Sequence, residues 1–336
     1  MSPKNTNRAE KGSIGPWIFT ILSIAFTVWF FFNRQYVLDI AHYWQYVPSS
    51  GIATIKKNTT MTDKGYFYFY MSQPELENAE TFNKNCQRKE ANSPILGCYT
   101  AHRIYIYNVT NQKLNGIEEV TAAHETLHAI YERLGSAEIE RLTPEIRAVY
   151  KRVKTPELEE RMNYYRKNEP GEEINELYAI LGTEFSDVGP TLEKQYAKYF
   201  SNRESIVRYH EKTQAIFTNL SNQAKMISNK TNALVDTINS ETKEYNRRSA
   251  DLSAQIATFN ARANQSNGFN SQAEFDTTRN NLLNQVADLN ALRDKIEAEV
   301  AEYKNLRSQL EAVAAESDTL NKSIDSTLAP VTSLSK

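Results

Sequence analysis

The chain of 336 residues is poor in the residue types that mark several classes of protein. It has only 2 cysteines, 11 glycines and 10 prolines, which excludes a disulfide-dense scaffold and a low-complexity chain. Its 39 Lys and Arg side chains are balanced by 41 Asp and Glu, so the net charge is −2. Because nucleic-acid binding uses a basic patch or stripe, we expect no nucleic acid among its partners.

Charged residues are also missing from one long segment near the N-terminus. No charge lies between Lys11 and Arg34, and the run 14–33 is dense in large apolar side chains. About 20 such residues form a helix that spans a membrane once. Basic residues are more numerous before the run than after it, which predicts a cytoplasmic tail (1–13) and an extracytoplasmic remainder. A cleaved signal peptide is the alternative, but no small-residue cleavage site follows the run.

The two cysteines fit an extracytoplasmic location. Cys86 and Cys98 lie 12 positions apart in a stretch rich in turn-forming residues. In an oxidising compartment such a pair closes a loop, so we predict a Cys86–Cys98 disulfide. Zinc ligation is the competing use, but neither cysteine belongs to a Cys-x-x-Cys spacing.

Residues 34–202 have the composition of a helix-rich α+β domain. The aromatic and β-branched runs 65–71 and 102–109 are predicted strands, because turn-forming residues bound them. Later segments have apolar residues at helical spacing and recognisable helix starts. The helices predicted there cover residues 117–134 and 172–185, with further helices opening at Thr155-Pro156 and at Gly189-Pro190-Thr191.

Residues 203–328 have a different pattern, with apolar residues recurring every seven positions. Heptads of this kind indicate helices that bury a narrow stripe against another helix. A loop at 264–271 separates two arms of similar length, which predicts a long antiparallel coiled-coil hairpin. The alternative is two helices packed on the preceding domain. Residues 329–336 form a short tail.

The most informative motif contains two of the chain's five histidines. His124 and His128 stand four positions apart on a predicted helix, so both imidazoles point from one face. Such a pair binds one zinc ion, and Glu125 between them has the position of a general base. An amphipathic helix with two hydrogen-bonded histidines is the alternative interpretation.

A third ligand is offered by the later segment Ile-Asn-Glu, which ends at Glu176. Together the two motifs resemble the gluzincins, the zinc peptidases that include thermolysin, which join His-Glu-x-x-His on one helix to a glutamate on a later helix, commonly preceded by asparagine. This resemblance implies a zincin-like domain in which His124, His128 and Glu176 bind Zn²⁺. Glu125 would be the catalytic base in peptide-bond hydrolysis. The resemblance covers residues 100–190 and is specific only at these motifs.

Three features depart from the gluzincin pattern. His128 and Glu176 are 48 positions apart, and the interval holds an extra helical segment. The aspartate that thermolysin-like enzymes carry four residues after the glutamate is replaced by Ile180. Glu184 shares a helix face with Glu176 and is a rival third ligand. The carboxylate that does not bind metal is expected to orient a histidine.

Peptide hydrolysis also needs a hydrogen-bond donor for the oxyanion of the tetrahedral intermediate. We assign this role to Tyr196, with Tyr178, Tyr199 and Arg203 as alternatives on neighbouring predicted helices. The predicted strand 102–109 is the expected edge against which an extended peptide substrate pairs.

The sequence therefore predicts a membrane-anchored zinc peptidase that acts on peptides or proteins outside the cytoplasm. The coiled-coil hairpin would serve as a spacer or bind a partner in the cell envelope. The alternative is a structural or regulatory envelope protein with an inactive peptidase-like domain. A third interpretation keeps the zinc and Glu125 but assigns hydrolysis of a non-peptide amide.

Overall fold

The computed structural model describes residues 14–86 and 94–328. The predicted tails, 1–13 and 329–336, lie outside the described residues. The described part of the chain divides into two compact units. The first unit comprises the residues up to Thr213 together with those from Ser323 onward, and the second comprises Gln214–Lys322.

The first element is a single helix, α1 (Ile14–Gln45). It is longer than the predicted span 14–33, because no glycine or proline interrupts it between Pro16 and Pro48. From Trp17 to Gln45 it is long and apolar enough to cross a membrane, and its apolar segment is not covered by the rest of the chain. The end of α1 packs on a later helix of the first unit, Asp63–Met71.

Two short helices follow, α2 (Ser50–Asn58) and α3 (Asp63–Met71). Helix α3 occupies the run 65–71, so the strand predicted there is wrong. The run is apolar at every position and lacks the polar–apolar alternation of a half-buried strand. Thr62 instead caps a helix, its hydroxyl accepting a hydrogen bond from the N–H of Gly65 at 3.1 Å.

A sheet of three short strands lies beside these helices: β1 (Glu75–Glu77), β2 (Gly97–Thr100) and β3 (Arg103–Tyr107). The strand order is β1-β3-β2, with β1 parallel and β2 antiparallel to β3. The strand predicted at 102–109 is confirmed as β3. Because β3 is the central strand, its predicted role as the substrate-pairing edge is wrong. Within the described residues, β2 forms one edge of the sheet.

The predicted disulfide between Cys86 and Cys98 is present. Cys86 follows helix α4 (Ala79–Asn85), and Cys98 lies in β2. The bond therefore ties an edge strand of the sheet to a neighbouring helix. The cysteines pack with Phe82, Tyr105 and Tyr107 in a small apolar cluster.

Five helices build the main core of the first unit: α5 (Ile117–Tyr131), α6 (Ser136–Val153), α7 (Pro156–Asn168), α8 (Glu173–Glu184) and α9 (Gly189–Tyr196). The predicted start of α7 is confirmed, because the hydroxyl of Thr155 accepts a hydrogen bond from the N–H of Leu158. Helix α6 was not predicted, and Pro144 is one of its interior residues. The apolar faces of these helices enclose one continuous core.

The second unit is made from most of the long helices α10 (Arg203–Ala263) and α11 (Gln272–Ile324), whose outer ends belong to the first unit. Within this unit the arms run antiparallel, since Glu241 pairs with Lys295 while Gln255 contacts Gln285. The heptad residues Leu252, Leu282 and Leu289 are buried in the seam between the arms. This arrangement agrees with the pairing that the heptads predict.

Candidate metal centre

Three side chains converge where helices α5 and α8 pack together. His124 and His128 project from α5, with their Nε2 atoms 3.1 Å apart. Glu176 on α8 faces both, with Oε1 3.5 Å from His124 Nε2 and Oε2 3.4 Å from His128 Nε2. These ligand atoms all lie within 4.8 Å of one another, so the group could hold a metal ion.

The close packing of the two helices depends on a glycine. A Cβ added to Gly182 of α8 would stand 2.4 Å from Leu127 Cδ1 of α5. Real carbon atoms do not approach so closely, so a larger residue would force the buried Leu127 side chain to move. Helix α5 also carries small buried side chains, which let neighbouring elements approach its backbone closely: Ala122, Ala123 and Ala129. Helix packing therefore sets the separation between the histidines and Glu176.

The residue before Glu176 orients one of the imidazoles. His128 Nδ1 donates a hydrogen bond to Asn175 Oδ1 at 2.9 Å. Asn175 is in turn held by Glu172, whose Oε2 accepts from Asn175 Nδ2 at 2.9 Å. In metal sites such a contact fixes the tautomer and turns the other ring nitrogen toward the ion. Here that nitrogen is His128 Nε2, which faces Glu176.

The charges in this group are strongly coupled. Burial disfavours the charged form of His124 and lowers its pKa to about 4. Burial acts the same way on His128, but the hydrogen bond and charge of Glu176 outweigh it and raise the pKa to about 9. Burial likewise opposes ionisation of Glu176, but the two imidazoles and Arg161 lower its pKa. In the absence of a metal ion these shifts favour an anionic Glu176 beside a protonated His128, whose proton a metal ion would displace.

Glu125 lies beneath strand β2, next to the histidine pair. The backbone N–H of Tyr99 donates to its carboxylate. Gly97 permits this approach, because an added Cβ would stand 2.5 Å from Thr121 Cγ2 and 2.9 Å from Glu125 Oε1. Burial raises the pKa of Glu125 to about 7. A carboxyl group with this pKa can both accept and return a proton near neutral pH.

The rival ligand, Glu184, has a different partner. Both of its carboxylate oxygens accept from Arg161 Nη1 on helix α7, at 3.0 and 3.1 Å. His210 Nε2 approaches the same carboxylate at 3.9 Å. The convergent group in the described residues therefore contains Glu176 and not Glu184.

The four residues considered for oxyanion stabilisation lie in the core. Tyr196 is fully buried, and its hydroxyl donates to the Tyr178 carbonyl at 2.8 Å. Tyr178 and Tyr199 are also buried. Arg203 donates to backbone carbonyls that follow α8, among them Phe185 O at 2.6 Å. These contacts stabilise the fold and speak against a substrate-contacting role for Tyr196.

The donor set fits a metal ion by its chemistry and its spacing. Ligand atoms at about 2.0–2.1 Å from one tetrahedral ion stand about 3.3 Å from each other. The two imidazole Nε2 atoms, 3.1 Å apart, are close to that value, and a different oxygen of Glu176 faces each of them, at 3.5 and 3.4 Å. Two neutral imidazoles and one carboxylate leave a fourth position for water or substrate.

No protein-family model, curated protein or solved structure matches this chain. Membership of a family is therefore not shown. The similarity to gluzincins rests on the two motifs, and the function must be inferred from the site itself.

Sequence reasoning missed three contributors to the site. Gly97 and Tyr99 approach Glu125 from a strand that was not predicted, and four residues are too few for a periodic signal. Arg161 comes from a helix between the two motifs. Its charge alone does not distinguish it from the other basic residues on that helix.

Proposed function

We propose that the chain is a membrane-anchored zinc peptidase that hydrolyses peptide bonds. The observation that carries the proposal is the convergence of His124, His128 and Glu176 within 4.8 Å. Two histidines and a glutamate with an open fourth position are a known catalytic zinc set. A zinc ion held there would activate a water molecule and polarise the scissile carbonyl.

In this proposal Glu125 is the general base. It takes a proton from the attacking water and returns it to the amine that leaves. Two observations support the role: Glu125 adjoins the ligand His124 on α5, and burial raises its pKa to about 7. A base poised near the working pH contributes about 10²- to 10⁴-fold to the rate of such reactions.

Strand β2 is the proposed edge for substrate binding. In the described part of the chain it pairs with β3 on one side only. The N–H of Tyr99 reaches Glu125 from this strand. An extended peptide that adds to a strand edge gains backbone hydrogen bonds. A peptide paired with β2 would therefore lie close to the base and the metal ligands.

The membrane location is part of the same proposal. Helix α1 is long and apolar enough to cross a bilayer, and basic residues are more numerous before its apolar run. We infer a single-pass protein with a cytoplasmic N-terminus and an extracytoplasmic catalytic domain. The Cys86–Cys98 disulfide supports an oxidising compartment. The coiled-coil arms of the second unit are a proposed binding surface for an envelope partner.

The test uses the full-length protein purified in detergent, with zinc content and cleavage of a peptide library measured on the same samples. We expect one zinc per wild-type chain. Glu125→Gln should keep the zinc and lose peptide cleavage by about 10²- to 10⁴-fold, because only the base is removed. Glu176→Ala should lose the zinc, whereas Glu184→Ala should still bind it, more weakly.

Glu140→Gln is the matched control, since Glu140 is an exposed carboxylate on α6. It should leave both zinc content and cleavage unchanged. A Glu125→Gln protein that cleaves peptides at the wild-type rate would contradict the role of Glu125 as general base. If the wild-type protein held no zinc after incubation with the ion, the metal assignment would be contradicted. A structural role for the protein would then be favoured.

A further inference from the structure

Helix α7 lies in the long interval between the two motifs and brings a cation to the candidate metal centre. Arg161 extends from α7 so that its Nη2 lies 3.6 Å from Oε1 of Glu176. The same oxygen is 3.5 Å from His124 Nε2. One oxygen of the proposed ligand therefore faces an imidazole and a guanidinium together.

Glu184 fixes the position of Arg161. It follows Glu176 by eight residues, about two helical turns along the same face of α8. Arg161 Nη1 donates to both oxygens of Glu184, while Nη2 faces Glu176. A single guanidinium thus spans two carboxylates of one helix. The planar fork of arginine suits this geometry, which a lysine ammonium cannot reproduce.

The two carboxylates are largely removed from solvent, with side-chain exposures of 7% for Glu176 and 15% for Glu184. A buried charge that loses its partner is strongly unfavourable and moves its neighbours. Metal-binding carboxylates are themselves held by contacts outside the ligand set, which keep their oxygens aimed at the ion. Arg161 has the place and the charge for this task.

We propose that Arg161 positions Glu176 for metal binding and that Glu184 holds Arg161 in place. This inference rests on the proposed zinc site and assigns a purpose to the extra segment between its motifs. Arg161 and Glu184 are positioning residues, because they act on the ion and substrate only through Glu176.

If Arg161 acted only through its charge, its removal would change the zinc affinity in the opposite direction. A positive charge beside a cation site repels the metal, so its removal alone would strengthen zinc binding. Loss of a positioning contact instead lets the carboxylate turn away and weakens zinc binding, by about 10- to 100-fold in comparable sites. The direction of the change in affinity therefore separates the two roles.

The experiment measures zinc affinity of the full-length protein by competition with a chelator, together with the absorption spectrum of the Co²⁺-substituted protein. The variants are Arg161→Met, Arg161→Lys and Glu184→Gln. Arg166→Met is the matched control, because Arg166 lies on the same helix and pairs with α8 through Glu173 at 2.8 Å. Thermal unfolding of each metal-free variant reports whether it folds.

We expect Arg161→Met to bind zinc about 10- to 100-fold more weakly and to change the Co²⁺ spectrum. Arg161→Lys should remain impaired, Glu184→Gln should show a smaller loss, and Arg166→Met should match the wild type. Unchanged or tighter zinc binding by Arg161→Met overturns the inference, as does an equal loss in Arg166→Met. If Arg161→Met does not fold, Glu184→Gln decides: a wild-type affinity and spectrum overturn the inference. The zinc content of the wild type independently tests the proposed function.

Discussion

The imidazole of His128 makes metal binding depend on pH. Although burial opposes its charge, Glu176 and Asn175 raise its pKa to about 9 in the metal-free protein. Below that pH a proton occupies the position that the ion needs, and binding must release it. We therefore expect zinc affinity to rise by at least about tenfold per pH unit between pH 7 and pH 9.

This pH dependence is measured by calorimetry in buffers with different enthalpies of ionisation. At pH 8 Glu125 is already largely ionised, because its pKa is about 7. A zinc-bound water with a pKa of about 7 would also lose its proton, so we expect release of about two protons per zinc at this pH, one of them from His128. Zinc binding with no proton release, and with the same affinity at pH 7 and pH 8, would contradict the assigned state of His128.

The candidate site was predictable from the sequence only where its geometry is local. The helical repeat places His124 and His128 on one face, and the pattern around Glu176 identified a third ligand. The partners of these residues depend on which elements meet in space. Neither the approach of Gly97 to Glu125 nor the contact between Arg161 and Glu176 leaves a periodic mark in the sequence.

At the scale of elements, an ion pair joins helix α1 to helix α5. Arg133, just after α5, donates to both oxygens of Asp39 in α1, at 2.8 and 2.9 Å. The two side chains are only 10% and 5% exposed. Arg133 also donates to the hydroxyl of Tyr99 on β2 at 2.8 Å. The Arg133 guanidinium, just after the end of α5, therefore contacts both α1 and strand β2.

Removing the carboxylate of this pair should destabilise the first unit. Breaking a buried ion pair from one side costs about 3–5 kcal/mol, because the remaining charge loses its buried partner. Arg133 would then keep only the more exposed carboxylate of Glu132, at 3.2 Å. We expect Asp39→Asn to lower the free energy of unfolding by about this amount, measured by urea denaturation in detergent. Glu80→Gln, in the exposed pair with Lys84, is the control and should not change it. Equal stability of the two variants would contradict the structural role of Asp39.

Long helices were predicted more reliably than short elements. The helices α8, α10 and α11 extend over enough residues for a periodic apolar pattern to identify them. Strands β1 and β2, with three and four residues, carry no such signal. Helix α3 was misjudged because the apolar run 65–71 is short enough to fit either a strand or a helix.

At the scale of the whole molecule, the ligand residues and the coiled coil belong to different units. Deleting 248–254 and 284–290 together removes one heptad from each arm and preserves the seam. We expect this paired deletion to keep wild-type zinc affinity and helix content by circular dichroism. Deleting 248–254 alone shifts the arms by about 10 Å and should lower the melting temperature of the second unit.

The paired deletion also tests whether the metal centre is confined to the first unit. All three proposed ligands lie in the first unit, as do Arg161 and Glu184. Loss of zinc in the paired variant, with its helices intact, would mean that the arms take part in the metal centre. Equal melting of the paired and single deletions would argue against a register set by the heptads.

The uninterrupted helix α1 would limit what the proposed peptidase can reach. Helix α1 continues without a break for twelve positions from Asn33 to Gln45, a length of about 18 Å. The Asp39–Arg133 ion pair fixes this part of the helix to the rest of the first unit. A continuous helix offers no flexible segment there that would let the first unit move toward distant targets. In a bilayer the proposed active site would stay at a constant distance from the membrane surface, so a substrate of the proposed peptidase would have to reach it there.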